Sequence, residues 1–210
     1  MNNKLQSRWV ILIAVFVVYA SCSTSDTEIN REVKNQPSTS SLIIEQTDIA
    51  IDSDLDLIWQ DEFLGDALNN RKWDFQIGNG VNGWGNNELQ FYTSSKNNYE
   101  LSKGLLKIVP LYDSSHDQPY TSSKLVTKNK FSFKSPGIIS VKFKVPQGQG
   151  LWPAIWMMPV HSIFGGWPRS GEIDLMEARG SNPQQVLSTL HFFQNGHMYE
   201  GGDRYEVQAT

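Results

Sequence analysis

From Leu55 onward, apolar residues come in short runs divided by turn-forming residues: "LDLIWQDEF", "NELQFYT", "GLLKIVPLY", "KFSFK", "GIISVKFKV", "GLWPAIWMMP", "GEIDLMEARG" and "VLSTLHFF". The alternation is plainest at Ile139, Val141, Phe143 and Val145, with Lys142 and Lys144 pointing the other way. A half-buried strand has this two-residue period because successive side chains leave on opposite faces. No long stretch keeps the 3.6-residue period of a helix, and no segment repeats. The pattern predicts an all-β, antiparallel protein, a sandwich or jelly roll.

The chain before Leu55 reads differently. "MNNKLQSR" supplies two cations, "WVILIAVFVVYA" is an apolar run too short to span a bilayer, and small residues follow, which is the layout of an export signal. Cys22, in "YASC", is the single cysteine, so no disulfide can form within the chain. Its surroundings resemble the lipobox of bacterial lipoproteins, with Tyr19 standing where that motif usually has Leu, and Ser23 resembles the outer-membrane sorting signal. Residues 1–22 are therefore expected to be a lipoprotein-type signal peptide. Residues 23–54, rich in Ser, Thr, Asp, Asn and Glu, are expected to be a flexible polar tether, and 55–210 the folded part. The expected location is outside the cytoplasm of a bacterial cell, lipid-anchored in the outer membrane without a spanning helix; a periplasmic or secreted form is the alternative.

Charge removes one class of partner. The formal net charge is −4, and without the leader's Lys4 and Arg8 the balance is 16 basic against 22 acidic residues, a net of −6. Nothing here attracts nucleic acid. The lysines of "KLVTKNKFSFK" and "VKFK" read as a solvated strand face. Six of the seven tryptophans follow the leader, which suits a ligand with flat apolar faces, although β-rich cores use Trp as well.

Glu172, Asp174 and Glu177 lie within six residues in "GEIDLMEARG". On a helix they would point to about 0°, 200° and 140°, so no face collects them. A regular strand also fails, because Glu177 has the wrong parity. A strand with a bulge near Leu175 or Met176 resets the parity, places all three acids on one face and turns Ile173 and Leu175 to the core. The two Glu backbones are then roughly 13 Å apart, leaving room for one sugar bond between the carboxyls. The plainer readings are a solvated acidic strand face and a calcium cluster.

Other segments narrow the chemistry. Trp152, Ala154 and Trp156 share one strand face, either as core or as a notch for a sugar ring. "IGNGVNGWGNNELQFYT" opens as a glycine-rich loop, but no Lys-Ser or Lys-Thr pair and no helix follow, so it is not a phosphate loop. It presents Trp84, Asn86 and Asn87, which suit the gripping of hydroxyls, or else serves turn geometry alone. His191 in "STLHFF" comes one short connection after the acids, where a neighbouring strand could bring it near Glu172; a structural histidine is the alternative. His191 and His197 lack a third spaced ligand for zinc, and "PRSGE" lacks the glycine of a nucleophile elbow.

Taken together, "GEIDLME", "GLWPAIWMMP" and "GWGNNELQFYT" resemble glycoside hydrolase family 16, and within it the laminarinase-type endo-1,3-β-glucanases. With "LIWQDEF" to "RKWDFQIGNG", the resemblance runs from about Asp56 to Thr210. It implies a concanavalin A-like jelly-roll sandwich with a cleft on its concave face, Glu172 as nucleophile, Glu177 as acid/base and Asp174 as the assisting carboxylate. Like-charge crowding should raise the pKa of one acid, and the family places that proton on Glu177. The resemblance also implies a cleft containing Trp84, Asn87, Trp152, Trp156, Trp167 and His191, no required cofactor, and a structural calcium with Glu62 as a ligand. The expected partner is a β-glucan, and the complete form is expected to be a monomer. Mixed-linkage glucan and the galactans agarose and carrageenan are alternative substrates. Family domains continue past the strand matching "STLHFF", so 55–210 is expected to be the N-terminal part of a catalytic domain, incomplete at its C-terminus. A non-catalytic glucan-binding lipoprotein, or an inactive truncated remnant, is the alternative.

Overall fold

A computed structural model describes residues 8–17, 56–134 and 137–206. Cys22 and the expected tether, 23–54, lie outside the described residues. Two compact units are distinguished, one of Met1–Ala20 with Glu62–Thr210 and one of Ser21–Asp61. Of the second, only 56–61 are described, without regular structure.

The first unit is built of strands: β1 (Arg8–Val17), β2 (Asp74–Phe75), β3 (Gln90–Tyr92), β4 (Tyr99–Ser102), β5 (Leu105–Ile108), β6 (Leu111–Tyr112), β7 (Tyr120–Ser122), β8 (Lys124–Val126), β9 (Phe133–Lys134), β10 (Leu151–Pro159), β11 (Glu172–Arg179), β12 (Asn182–Gln194) and β13 (His197–Glu206). One irregular helical turn, Gly83–Asn87, precedes β3. The main sheet runs β13-β12-β11-β10-β1-β8-β2, with β9 also pairing β1; β3-β7-β6 and the β4-β5 hairpin stand apart from it. Among the described residues no helix is long and apolar enough to cross a membrane. The apolar stretch read as the heart of an export signal, Arg8–Val17, lies antiparallel to both β10 and β8.

Side-chain alternation along β10 divides the packing. On one face Ile155 clusters with Met176, Ala178 and Val186, joined by Leu175 and Val145. On the other, Ala154 and Tyr92 are surrounded by Trp84, Trp152 and Trp156. Leu175 thus joins the core as expected, while Ile173 is half-buried and sits in register with Met157 and Leu190.

The segment with the plainest alternation does not form a strand. Among the described residues, 137–146 take part in no ladder; Ile138, Val141 and Phe143 are exposed, and Val145 packs against the Ile155 cluster. A strand is a relation between two segments, and period two alone does not supply the neighbour. "LIWQDEF" likewise stays irregular, with Leu57 and Ile58 exposed.

The end of β11 is clamped where the chain turns into β12. The Gly180 amide donates to the Leu151 carbonyl at 2.7 Å, and the Gly148 amide donates to the Gly180 carbonyl at 3.0 Å. A Cβ on Gly180 would lie 2.3 Å from the Gly148 carbonyl oxygen, a backbone atom that cannot step aside. Gly180→Ala is expected to cost on the order of 1–3 kcal/mol through this overpacking. In a chain of this size that lowers the thermal midpoint by several degrees. Thermal unfolding followed by tryptophan fluorescence checks it, and an unchanged midpoint would mean the clamp is absent.

Candidate active site

The bulge required by the parity argument is present. Along β10, Ala154 opposes Glu177, Ile155 opposes Met176 and Trp156 opposes Asp174, so Leu175 is passed over. Along β12, Asp174 opposes Thr189 and Glu177 opposes Leu187, leaving Ser188 opposite both Leu175 and Met176. The Ser188 hydroxyl donates to the Leu175 carbonyl at 2.8 Å and so satisfies a backbone acceptor that the interrupted ladder leaves over. Because paired residues share a face, Glu172, Asp174 and Glu177 stand together with Trp152, Ala154, Trp156 and His191, opposite the Ile155 cluster.

Each acid has its own partner. The Trp152 indole N–H donates to Glu177 Oε1 at 3.0 Å, and the Trp167 indole N–H donates to Glu172 Oε2. His191 faces Glu172 in register, but its Nε2 lies 3.0 Å from Asp174 Oδ2. Asp174 is buried, and Trp167 tilts against the His191 ring with centroids 5.7 Å apart. Burial pushes the Glu172 carboxyl above the ordinary glutamate range, opposed by the Trp167 hydrogen bond and by the charges of His191 and Lys124. The sequence argument concerned crowding and Glu177; the upward push at Glu172 comes from loss of water.

A buried polar layer adjoins this face. Glu88 is 3% exposed and accepts from Gln90 Nε2 at 2.6 Å, Asn86 Nδ2 at 3.1 Å and the Tyr92 hydroxyl at 3.5 Å. Burial still pushes its pKa up, and burial with the Glu88 charge pushes the Tyr92 phenol well up. Lys124 is buried too, its Nζ 4.0 Å from the Trp84 ring centroid, 4.8 Å from that of Trp156 and 5.9 Å from that of Tyr92. Desolvation brings its pKa down to about 8, against the pull of Glu88 and Glu172. The solvated-face reading of these lysines fits Lys128, Lys130, Lys134, Lys142 and Lys144, which are exposed, and is corrected at Lys124. Rings on three sides replace its water with π-faces and offset part of the cost.

The glycine-rich loop delivers Trp84 to this cage. Trp84 itself is left-handed, at φ 55. Gly83, also at positive φ, could carry no Cβ, which would meet the Glu88 amide nitrogen at 2.3 Å. The glycines therefore serve close packing of the loop on itself.

Among the residues expected in the cleft, Trp152 and Trp167 act through their indole N–H groups on the acids, and His191 through Asp174. Trp156 packs on Ala154 and Tyr92 with Lys124 over its ring. Trp84 is half-buried on the same cation, and Asn87 ends the irregular turn in an exposed position. Among the described residues no group of three or more His, Cys, Asp or Glu side chains is gathered as a metal site, and Glu62 is exposed, so the expected calcium gains no support from them. Glu88, Gln90, Tyr92 and Lys124 escaped the sequence reading. Their signal was Glu88-Gln90-Tyr92 at period two, a polar face that turned inward.

The family model of the XgeA-like catalytic GH16 domain matches residues 86–209. A glucan endo-1,3-beta-glucosidase of Cryptopygus antarcticus is 45% identical over 142 residues, covering 65% of this chain and 50% of that protein. The glucan endo-1,3-beta-glucosidase A1 of Niallia circulans is 44% identical over 159 residues, covering 70% of this chain and 23% of the relative. The solved endo-beta-1,3-glucanase of Pyrococcus furiosus superposes with a TM-score of 0.60 at 36% identity, over 72% of this chain and 60% of that one. The chain thus spans about half or less of the length of these curated relatives. The all-β jelly-roll class expected from the sequence is the class these likenesses show, and the chain belongs to glycoside hydrolase family 16, matching its catalytic domain.

Proposed function

We propose that this chain is part of a retaining endo-β-1,3-glucanase that cleaves laminarin-like β-glucans. The observation that carries the reading is the bulged β11, which gathers three carboxylates on one face with a separate hydrogen-bonding partner for each. Curated relatives named as glucan endo-1,3-beta-glucosidases support the substrate class.

In the first step a Glu172 oxygen attacks the anomeric carbon while Glu177 gives its proton to the departing glycosidic oxygen, leaving a glycosyl ester on Glu172. In the second, Glu177 takes a proton from water, whose oxygen displaces Glu172 from the same carbon and restores the original configuration. Glu172 must be ionised to attack. The Trp167 N–H and the charges of His191 and Lys124 favour that form against burial. Asp174, 3.0 Å from His191 Nε2, lies on the same face between the two glutamates, where a carboxylate would stabilise the developing oxocarbenium ion.

Reducing-sugar release from laminarin by the full chain, compared with Glu172→Gln, tests the reading. The variant is expected to lose at least about three orders of magnitude in kcat, since truncating a nucleophile removes a covalent route of that size. NMR of the first-formed product should give the β-anomer. Binding of laminarin without turnover, or the α-anomer appearing first, would overturn the proposal.

The leader ending at Cys22 supports export and lipid anchoring of the same protein, in which case processing at Cys22 removes β1 and the strand described at Arg8–Val17 belongs to the precursor. Labelled palmitate fed to expressing bacteria should enter the protein and be lost in Cys22→Ser; equal labelling of both would remove the anchor from the account.

A further inference from the structure

We propose that Tyr112 and Tyr120 form a distal stacking subsite, which holds a β-glucan chain where it leaves the cleft, away from the acids. This rests on the glucanase reading of the cleft and deepens it, by giving the site a preference for long chains. The side chains of Glu88, Gln90 and Tyr92 meet one another, so β3 presents that period-two row to one face. The row belongs to the cleft: Tyr92 and Ala154 pack together among Trp84, Trp152 and Trp156, and Ala154 stands opposite Glu177. In the β3-β7-β6 sheet Gln90 is in register with Tyr120, and Tyr120 with Tyr112. Paired residues share a face, so the two tyrosines continue the cleft face outward past the buried Gln90. Two strand spacings across and two residues along set Tyr112 roughly 12 Å from Tyr92, backbone to backbone, which is more than one sugar ring. Neither ladder involves β1, the strand that processing would remove.

The pair has the form of a platform rather than of a core. Tyr112, on the edge strand, is 78% exposed and Tyr120 is half-buried; their rings meet at 71° with centroids 5.6 Å apart. Edge-to-face contact steadies the outer ring while leaving most of it to solvent. The connection between β6 and β7 does not cover them. Its His116 stacks on Phe91, with centroids 4.0 Å apart and planes 4° from parallel, and Phe91 alternates with Gln90 and so faces the other way. The Asp113 amide donates to the Pro119 carbonyl at 3.1 Å and the Ser115 amide to Asp113 Oδ1 at 2.9 Å, which braces the turn. A single exposed ring is ordinary on any surface. A steadied pair in line with the cleft matches what a glucan offers there, a flat C–H face on each sugar with hydroxyls at its rim.

Binding measured without turnover keeps the subsite separate from the chemistry. In the full chain carrying Glu172→Gln, calorimetric titration with laminarihexaose should show Kd rising about tenfold on adding Tyr112→Ala and changing by less than about twofold with Tyr112→Phe, which keeps the ring. Laminaritriose, which spans fewer sugar positions, should bind all three proteins alike. An unchanged Kd for laminarihexaose in Tyr112→Ala would overturn the proposal, and so would an equal loss for both sugars, which is what a ring that only supports the fold would give. A loss in Tyr112→Phe as large as in Tyr112→Ala, or no binding of either sugar to any of the proteins, would overturn it as well. The glucanase reading is decided separately, by reducing-sugar release from laminarin with Glu172 intact. Hexaose binding that depends on Tyr112, without any release, would keep the subsite and end the glucanase reading.

Discussion

The site depends on one extra residue in one strand. Between Asp174 and Glu177 the chain must pass over Leu175 before Met176 can pair with Ile155. The two consequences are inseparable: the acids reach one face, and Met176 and Ala178 reach the other, where they meet Ile155 and Val186. A strand without the extra residue would have to give up one set or the other. Placing Glu177 in the apolar cluster would cost several kcal/mol for an unpaired buried carboxylate, while exposing Met176 would forfeit roughly 1.5–3 kcal/mol of burial. Both terms favour the bulge, and the Ser188 hydroxyl on the Leu175 carbonyl completes it.

Once the acids are gathered, the second constraint is water. Asp174, Glu88 and Lys124 are each buried, and Glu172 is partly so. Hydrogen bonds to a charged group contribute roughly 1.5–3 kcal/mol each. Three on Glu88, with a cation nearby, are of the size needed to offset the several kcal/mol that effective burial of one ion costs. The tryptophans divide this work. Trp152 and Trp167 supply N–H donors to the acids, whereas Trp84 and Trp156 supply ring faces to Lys124. Aromatic residues that suggest sugar stacking in a sequence are here bound up with the ionisation of the site.

The legible parts of the sequence were those in which spacing leaves a single geometric solution. Three acids at positions 172, 174 and 177 fit one face only on a bulged strand, and the alternation of Trp152, Ala154 and Trp156 fixed which residues share it. The opposite failure occurred at 137–146, where the best alternation in the chain forms no ladder, because period two says nothing about where a partner strand lies. Lys124 and Glu88 were missed for another reason. Charged residues are normally placed outside, and only the three-dimensional meeting of Asn86, Gln90, Tyr92 and the rings around them reverses that expectation. A local pattern carries parity, but it does not carry the solvation of a cluster assembled from three separate segments.

The central claim, that Glu172 and Glu177 converge on opposite sides of one sugar bond, is tested most directly by azide rescue with an activated aryl β-laminaribioside. Glu172→Ala with azide should give the α-glycosyl azide, and Glu177→Ala the β-glycosyl azide, since each small nucleophile enters from the side its missing carboxylate served. The same anomer from both variants, or a Glu177→Ala protein that neither loses activity nor responds to azide, would contradict the account.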